Sequence, residues 1–206
     1  MDESQFFNKL EDKYVTTGHM PHWSQRQKLY AVTFRLKDSL PKSVVEEYLK
    51  ECEEDMGNDT HKSTSRYDIM MHKKMMEYLD ASHGECLLKN KDIRDIVKME
   101  LQHIDEHMAQ VYAYVIMPNH VHTLIEAKGD YTIQDIMHSI KRHTAIRINK
   151  ILGRQGVSLW QREYFDRIIR SYDHFHHAIE YIINNPRHCK DNEYSLWIAK
   201  DLGVRY

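Results

Sequence analysis

Val111-Tyr112-Ala113-Tyr114-Val115-Ile116-Met117-Pro118-Asn119-His120-Val121-His122 opens on an apolar run of seven residues and closes on two histidines one residue apart. The run predicts a strand over residues 111–126, interrupted or bent at Pro118, because proline cannot donate to a ladder. Side chains i and i+2 of a strand lie on one face. Both imidazoles therefore point the same way, as two ligands of one metal ion must.

Working outward, residues 29–36 alternate, with Tyr30, Val32, Phe34 and Leu36 on one face, and read as a first strand. The first twenty-odd residues are polar and are expected to form an arm outside the core. Three helical stretches are predicted at 41–54, 67–79 and 92–104. The first is broken at Gly57-Asn58-Asp59. A longer helix is predicted at 132–152, with Ile133, Ile136, Met137, Ile140, Ile148, Ile151 and Leu152 inward. Strand structure with a turn follows at 158–169, and a last helix at 173–185 stops at Pro186. The tail is only weakly patterned. Strand, helical middle, strand, helix, strand, helix is an α+β order with a central, mainly antiparallel sheet and flanking helices.

At 206 residues, with 41% hydrophobic and 29% charged residues, the chain suits one ordinary globular domain spanning 1–206. Residues 1–5 lack the basic start of a secretory signal, and no apolar run approaches membrane-spanning length, so a cytoplasmic protein off the membrane is expected. Cys52, Cys86 and Cys189 are odd in number and widely spaced, which suggests neither a disulfide framework nor a zinc knuckle. Charge is unevenly placed. Residues 42–60 hold two bases against seven acids, whereas residues 128–170 hold nine bases against four acids. In that second block Lys141, Arg142, Arg147, Arg154, Arg162 and Arg167 are the candidates for contact with a phosphate backbone.

In the last helix Phe175, Ala178, Ile179, Ile182 and Ile183 form the apolar stripe of a helix packed by one side. Tyr181 lies roughly 140° from the stripe centre at 100° per residue. It shares its face with His177 and Asn185, each one turn away. A phenol is a poor nucleophile unless its target is polarised. A divalent metal held by His120 and His122 would polarise a phosphate, with Asn185 as a third, oxygen ligand and open positions left for substrate.

Together these residues resemble the HUH single-strand DNA transposases, most of all the REP-associated tyrosine transposases. The resemblance is carried by residues 117–122, by Trp160-Gln161, and by Glu180-Tyr181-Ile182-Ile183-Asn184-Asn185-Pro186. Supporting matches are Met20-Pro21-His22-Trp23, Val32-Thr33-Phe34-Arg35-Leu36 with Asp38-Ser39-Leu40-Pro41, and Phe165-Asp166-Arg167. The resemblance implies a ferredoxin/RRM-like HUH nuclease core with a helical insertion at about 42–108. It implies Mg²⁺ or Mn²⁺ on His120 and His122, Asn185 in the place of a polar third ligand, and Tyr181 as nucleophile. The implied substrate is single-stranded DNA at hairpins from palindromic repeats. Cleavage would leave a 5′-phosphotyrosine and a free 3′-OH, with the protein acting as a monomer or a homodimer. After Pro186 the sequence departs from that family, with Arg187-His188-Cys189-Lys190 in place of an apolar continuation.

Other histidine enzymes fail on sequence. A histidine-triad nucleotide hydrolase needs a histidine where Leu124 stands. A His-x-His-x-Asp-His hydrolase needs Asp and His at Leu124 and Ile125, and no His-Glu-x-x-His is present. The remaining alternative is a catalytically retired DNA- or RNA-hairpin-binding module using the same basic block, with Trp160, Tyr164 and Phe165 for stacking. Tyr164 is the rival nucleophile, but its neighbours suggest packing, and Trp160 reads as structural. His61, His72, His83, His103, His107, His138 and His143 show no spacing that builds a site.

Overall fold

The computed structural model describes residues 2–12, 14–16, 22–56, 64–200 and 202. Two short strands, β1 (Tyr14–Thr16) and β2 (His22–Ser24), pair with each other. Then follow β3 (Leu29–Arg35), α1 (Lys42–Met56), α2 (Thr64–Asp80), α3 (Lys91–His107), β4 (Ala109–Ile116) and β5 (His120–Ala127). The chain continues through α4 (Ile133–Ile151), β6 (Phe165–Ile168), α5 (Tyr172–Asn184) and β7 (Ser195–Ile198). The main sheet has the order β6-β3-β5-β4-β7 and is antiparallel throughout. This is the α+β architecture expected from the sequence.

Leaving out the edge strand β7, the unit β3-α3-β4-β5-α4-β6 is a βαββαβ arrangement, with its fourth, first, third and second strands side by side. Its two crossover helices cover one face. Ile93, Ile96, Val97, Leu101 and Ile104 of α3 and Ile133, Ile136, Met137, Ile140 and Ile148 of α4 share a core with Tyr30, Val32, Phe34, Val121 and Ile125. The opposite face packs on α5, where Leu29, Leu124, Phe175, Ile179 and Ile182 meet. The sheet is thus buried on both sides. Of the stretch expected as an insertion at about 42–108, α3 is one of the crossover helices of the core, and the inserted helices that stand apart from both cores are α1 and α2; Leu40, Met76 and Leu79 form a smaller cluster with Val44, Val45 and Phe165.

Four further expectations are corrected. The stretch 111–126 is two strands rather than one: Met117 N–H donates to His120 O at 2.8 Å, closing a hairpin with Pro118-Asn119 at its tip. The N-terminal segment is no mere arm, because Phe6 is buried against the α5 core. Ile151 is 61% exposed and leaves the stripe of α4. The tail carries β7, which is tied down by the buried Arg94 guanidinium donating to Ser195 Oγ and Asn192 O. The break proposed at Gly57-Asn58-Asp59, and Met20-Pro21 of the supporting motif, lie outside the described residues.

Candidate active site

The β3–β5 register sets Thr33 opposite His122 and Arg35 opposite His120. Val121 and Ile125 belong to the α3/α4 core, so alternation turns His120 and His122 to the α5 face. Both imidazoles are buried, and their Nε2 atoms face each other at 2.9 Å. His120 Nδ1–H donates to Asn119 Oδ1 at 2.7 Å, while Asn119 Nδ2 donates to His83 O at 2.9 Å. His120 Nε2 therefore presents a bare lone pair. His122 Nδ1 lies 2.7 Å from Thr33 Oγ1.

A threonine hydroxyl both donates and accepts. With Thr33 donating, His122 Nε2–H bonds to His120 Nε2 and the network closes without a metal. With Thr33 accepting from Nδ1–H, both Nε2 lone pairs are free for one cation. Burial pushes His120 down to about 3 and His122 well below its ordinary value, with the neighbouring His120 and His72 adding to the shift at His122. Both are neutral at physiological pH, the state a metal ligand requires.

Tyr181 and Asn185 reach this point from the end of α5, where Ser171 caps the first turn by accepting from His174 N–H. The Tyr181 ring stands edge-on to His122, centroids 5.0 Å apart and planes at 82°. Burial raises its phenol, the charge of Asp80 raises it further, and the contact with Asn185 opposes both. Asn185 Nδ2 donates to Asp80 Oδ1 at 3.0 Å, while its Oδ1 is buried with no hydrogen-bond partner. A buried amide oxygen without a hydrogen-bond partner beside two neutral imidazole nitrogens is a donor set that suits a divalent ion, so the residues fit the group. Asp80 is an addition that sequence reasoning missed: its Oδ1 lies 3.6 Å from His120 Nε2. Asp80, His120 and His122 form a ligand-capable cluster with donor atoms all within 4.8 Å.

The expected basic surface divides. Lys141, Arg142 and Arg162 line a groove of about 510 Å³ with Trp160, Gln161 and Tyr164, on the α4 side of the sheet and away from the histidine face. Arg154 grips Glu85 through both terminal nitrogens, at 2.7 and 3.3 Å. Arg147 Nη2 approaches Met99 Sδ. Arg167 pairs in register with Ala31 on the α5 face and bears electrostatically on His72 and His174. Trp160 is structural as read: it is buried, donates to Thr144 Oγ1 at 2.8 Å, and meets Phe34 edge-on. Tyr164 is buried in the α4-side core, whereas Tyr181 alone of the two meets the histidine pair.

Two histidines expected to be incidental are built in. His83 supplies the carbonyl that holds Asn119, and His72 packs edge-on to Phe165, with burial and Arg167 lowering it to about 4. His103 and His107, also assigned nothing, lie with Glu106 in an exposed group of ligand-capable side chains on α3.

Residues 84–185 match the family model of IS200-like transposases, a span that contains His120, His122, Tyr181 and Asn185. That span is an IS200-like transposase domain. The matched span begins four residues after Asp80. Among solved structures, the chain is similar to a REP-associated tyrosine transposase bound to a REP hairpin, at 14% identity and a TM-score of 0.46, covering 84% of this chain and 75% of that one. It is also similar to a putative transposase from Deinococcus radiodurans R1, at 17% identity and a TM-score of 0.34, covering 79% of this chain and 93% of that one. No curated protein sequence matches it. No helix among the described residues is long and apolar enough to cross a membrane.

Proposed function

We propose that this chain, with its IS200-like transposase domain, is a metal-dependent enzyme that cleaves and rejoins single-stranded DNA at repeat hairpins through a covalent tyrosine intermediate. The observation that carries the reading is Tyr181 set edge-on against His122, one partner of a buried, neutral imidazole pair whose Nε2 atoms lie 2.9 Å apart. His120 and His122 would hold Mg²⁺ or Mn²⁺, with Asn185 Oδ1 as the nearby oxygen ligand. When bound, the ion withdraws charge from a phosphate oxygen and stabilises the transition state.

The remaining steps belong to the chain. Tyr181 Oη attacks phosphorus, the P–O3′ bond breaks, and the 3′ oxygen leaves as a hydroxyl. The phenolic proton is lost and one is gained at O3′, so the exchange is proton-neutral overall. The phosphotyrosine ester preserves the energy of the broken phosphodiester, and rejoining needs no ATP. Lys141, Arg142 and Arg162 in the α4-side groove, and Arg167 on the α5 face, are the candidate contacts to the DNA phosphates. The hairpin substrate rests on the motif resemblance.

The test mixes the protein with labelled single-stranded hairpins drawn from repeats of its own genome, with Mn²⁺ or with EDTA, and runs the products on denaturing gels. The expected result is a Mn²⁺-dependent, protease-sensitive adduct that Tyr181→Phe abolishes while native-gel binding persists. An adduct surviving in the variant removes Tyr181 as nucleophile. Binding without any adduct in the unsubstituted protein moves the assignment to the hairpin-binding module.

A further inference from the structure

Asp80 is the last residue of α2, in a part of the chain that precedes the family match. A carboxylate in the final turn opposes the helix dipole and is unfavourable there unless something positive compensates it. Here it is also half-buried. Among the described residues no lysine or arginine pairs with it. Its neighbours are the His120 Nε2 lone pair at 3.6 Å and the Asn185 amide at 3.0 Å. Among the described residues only His188 bears on it electrostatically with the compensating sign, and Glu77 opposes that, at the place where two imidazole nitrogens and an orphaned amide oxygen converge.

We infer that Asp80, delivered by the α1–α2 insertion, is the anionic ligand of the metal centre, so that the insertion is part of the active site. This rests on the metal-dependent reading above. Two imidazoles and an amide form a neutral, nitrogen-rich set that suits Zn²⁺ at least as well as harder ions. One carboxylate shifts the preference toward Mn²⁺ and Mg²⁺, which take oxygen ligands and are bound through carboxylates.

The architecture holds Asp80 on target from both sides. Leu79 beside it is fully buried in the small core with Leu40 and Met76. Beyond it, the turn holding Ser82, His83 and Gly84 is clamped: His83 O accepts from Asn119, Glu85 N–H donates to Asp38 Oδ2 at 2.6 Å, and Leu88 N–H donates to Pro118 O at 3.1 Å. The Pro118-Asn119 tip that orients His120 is therefore bonded to the same segment that presents Asp80.

The test is Mn²⁺ and Zn²⁺ titration of the full chain by calorimetry, without DNA, for the unsubstituted protein and Asp80→Asn. Asparagine keeps an oxygen to accept from Asn185 Nδ2 but removes the charge. The expected result is at least a tenfold loss of Mn²⁺ affinity and a smaller loss for Zn²⁺, with the metal-free unfolding midpoint not lowered. Unchanged Mn²⁺ affinity in the variant overturns the inference and leaves Asp80 as a support for Asn185. Absence of Mn²⁺ binding in the unsubstituted protein overturns the metal centre itself, a failure of the functional reading. If Asp80→Asn does not fold, Asp80→Glu substitutes: a Mn²⁺-to-Zn²⁺ affinity ratio like that of the unsubstituted protein supports a charged ligand, and a fall in that ratio overturns it.

Discussion

Thr33 carries a hydroxyl on a strand where packing would accept any β-branched side chain. Its Oγ1 lies 2.7 Å from His122 Nδ1 and is the group that can turn His122 from a donor toward His120 into a ligand with a free Nε2. Outer partners of metal-binding histidines typically contribute ten- to a hundredfold in metal affinity. Thr33→Val keeps shape and β-branching but cannot accept the Nδ1 proton, so Mn²⁺ affinity is expected to fall by roughly tenfold or more. Thr33→Ser restores the acceptor and most of the affinity. Equal Mn²⁺ affinity in the valine variant, measured by calorimetry, would falsify the tautomer role. Asn119 is the matching partner of His120, accepting from its Nδ1 and donating to His83 O.

At the scale of elements, the segment joining α2 to α3 transmits position from the insertion to the histidine hairpin. Ser82, Gly84 and Cys86 all have left-handed backbone, at φ of 57°, 92° and 52°. At Gly84 an added Cβ would sit 2.8 Å from Asp38 Oδ2 and 3.0 Å from the Asp38 carbonyl oxygen. Gly84→Ala is therefore expected to cost about 1–3 kcal/mol in urea unfolding and to weaken Mn²⁺ binding by displacing Asp80. Stability unchanged within error would show that the clamp gives freely. The elements legible in the sequence were those with one polar side: α5 showed both its stripe and the tyrosine opposite it. The strand pair β4–β5 hid its turn, because both sheet faces are covered and the apolar run reaches the tip without a break. β7 stayed hidden because Leu196 and Trp197 are more than a third exposed and the anchor is Arg94, a hundred residues away. Asp80 shares no spacing with His120, from which forty residues of loop, helix and strand separate it. The basic block read as one surface, yet the path from α4 to β6 spreads its side chains over both faces of the sheet.

Over the whole molecule, the buried imidazoles tie stability to acidity. His72 is lowered to about 4, His120 to about 3 and His122 well below its ordinary value, chiefly by burial. In the unfolded chain each titrates near 6.5. Between that value and the folded one the unfolded chain binds more protons than the native state. Stability from these groups is therefore present above about pH 6.5 and is lost as pH falls toward 4 and below. Each imidazole in that window contributes a slope of up to about 1.4 kcal/mol per pH unit. His72→Gln removes one such group outside the ligand set, so its unfolding free energy is expected to fall less steeply from pH 6.5 to 4.5, whatever its value at pH 7.5. Mn²⁺ acts in the opposite sense: at a hundred times its dissociation constant it stabilises the native state by about 2.7 kcal/mol. That gain shrinks in acid, because the unfolded chain and the ligands are protonated in its place. Denaturant unfolding across pH, with and without Mn²⁺, reads both effects. Parallel slopes for His72→Gln and the unsubstituted protein would place the acid sensitivity elsewhere. A Mn²⁺ stabilisation indifferent to pH would mean that the ion binds away from these histidines.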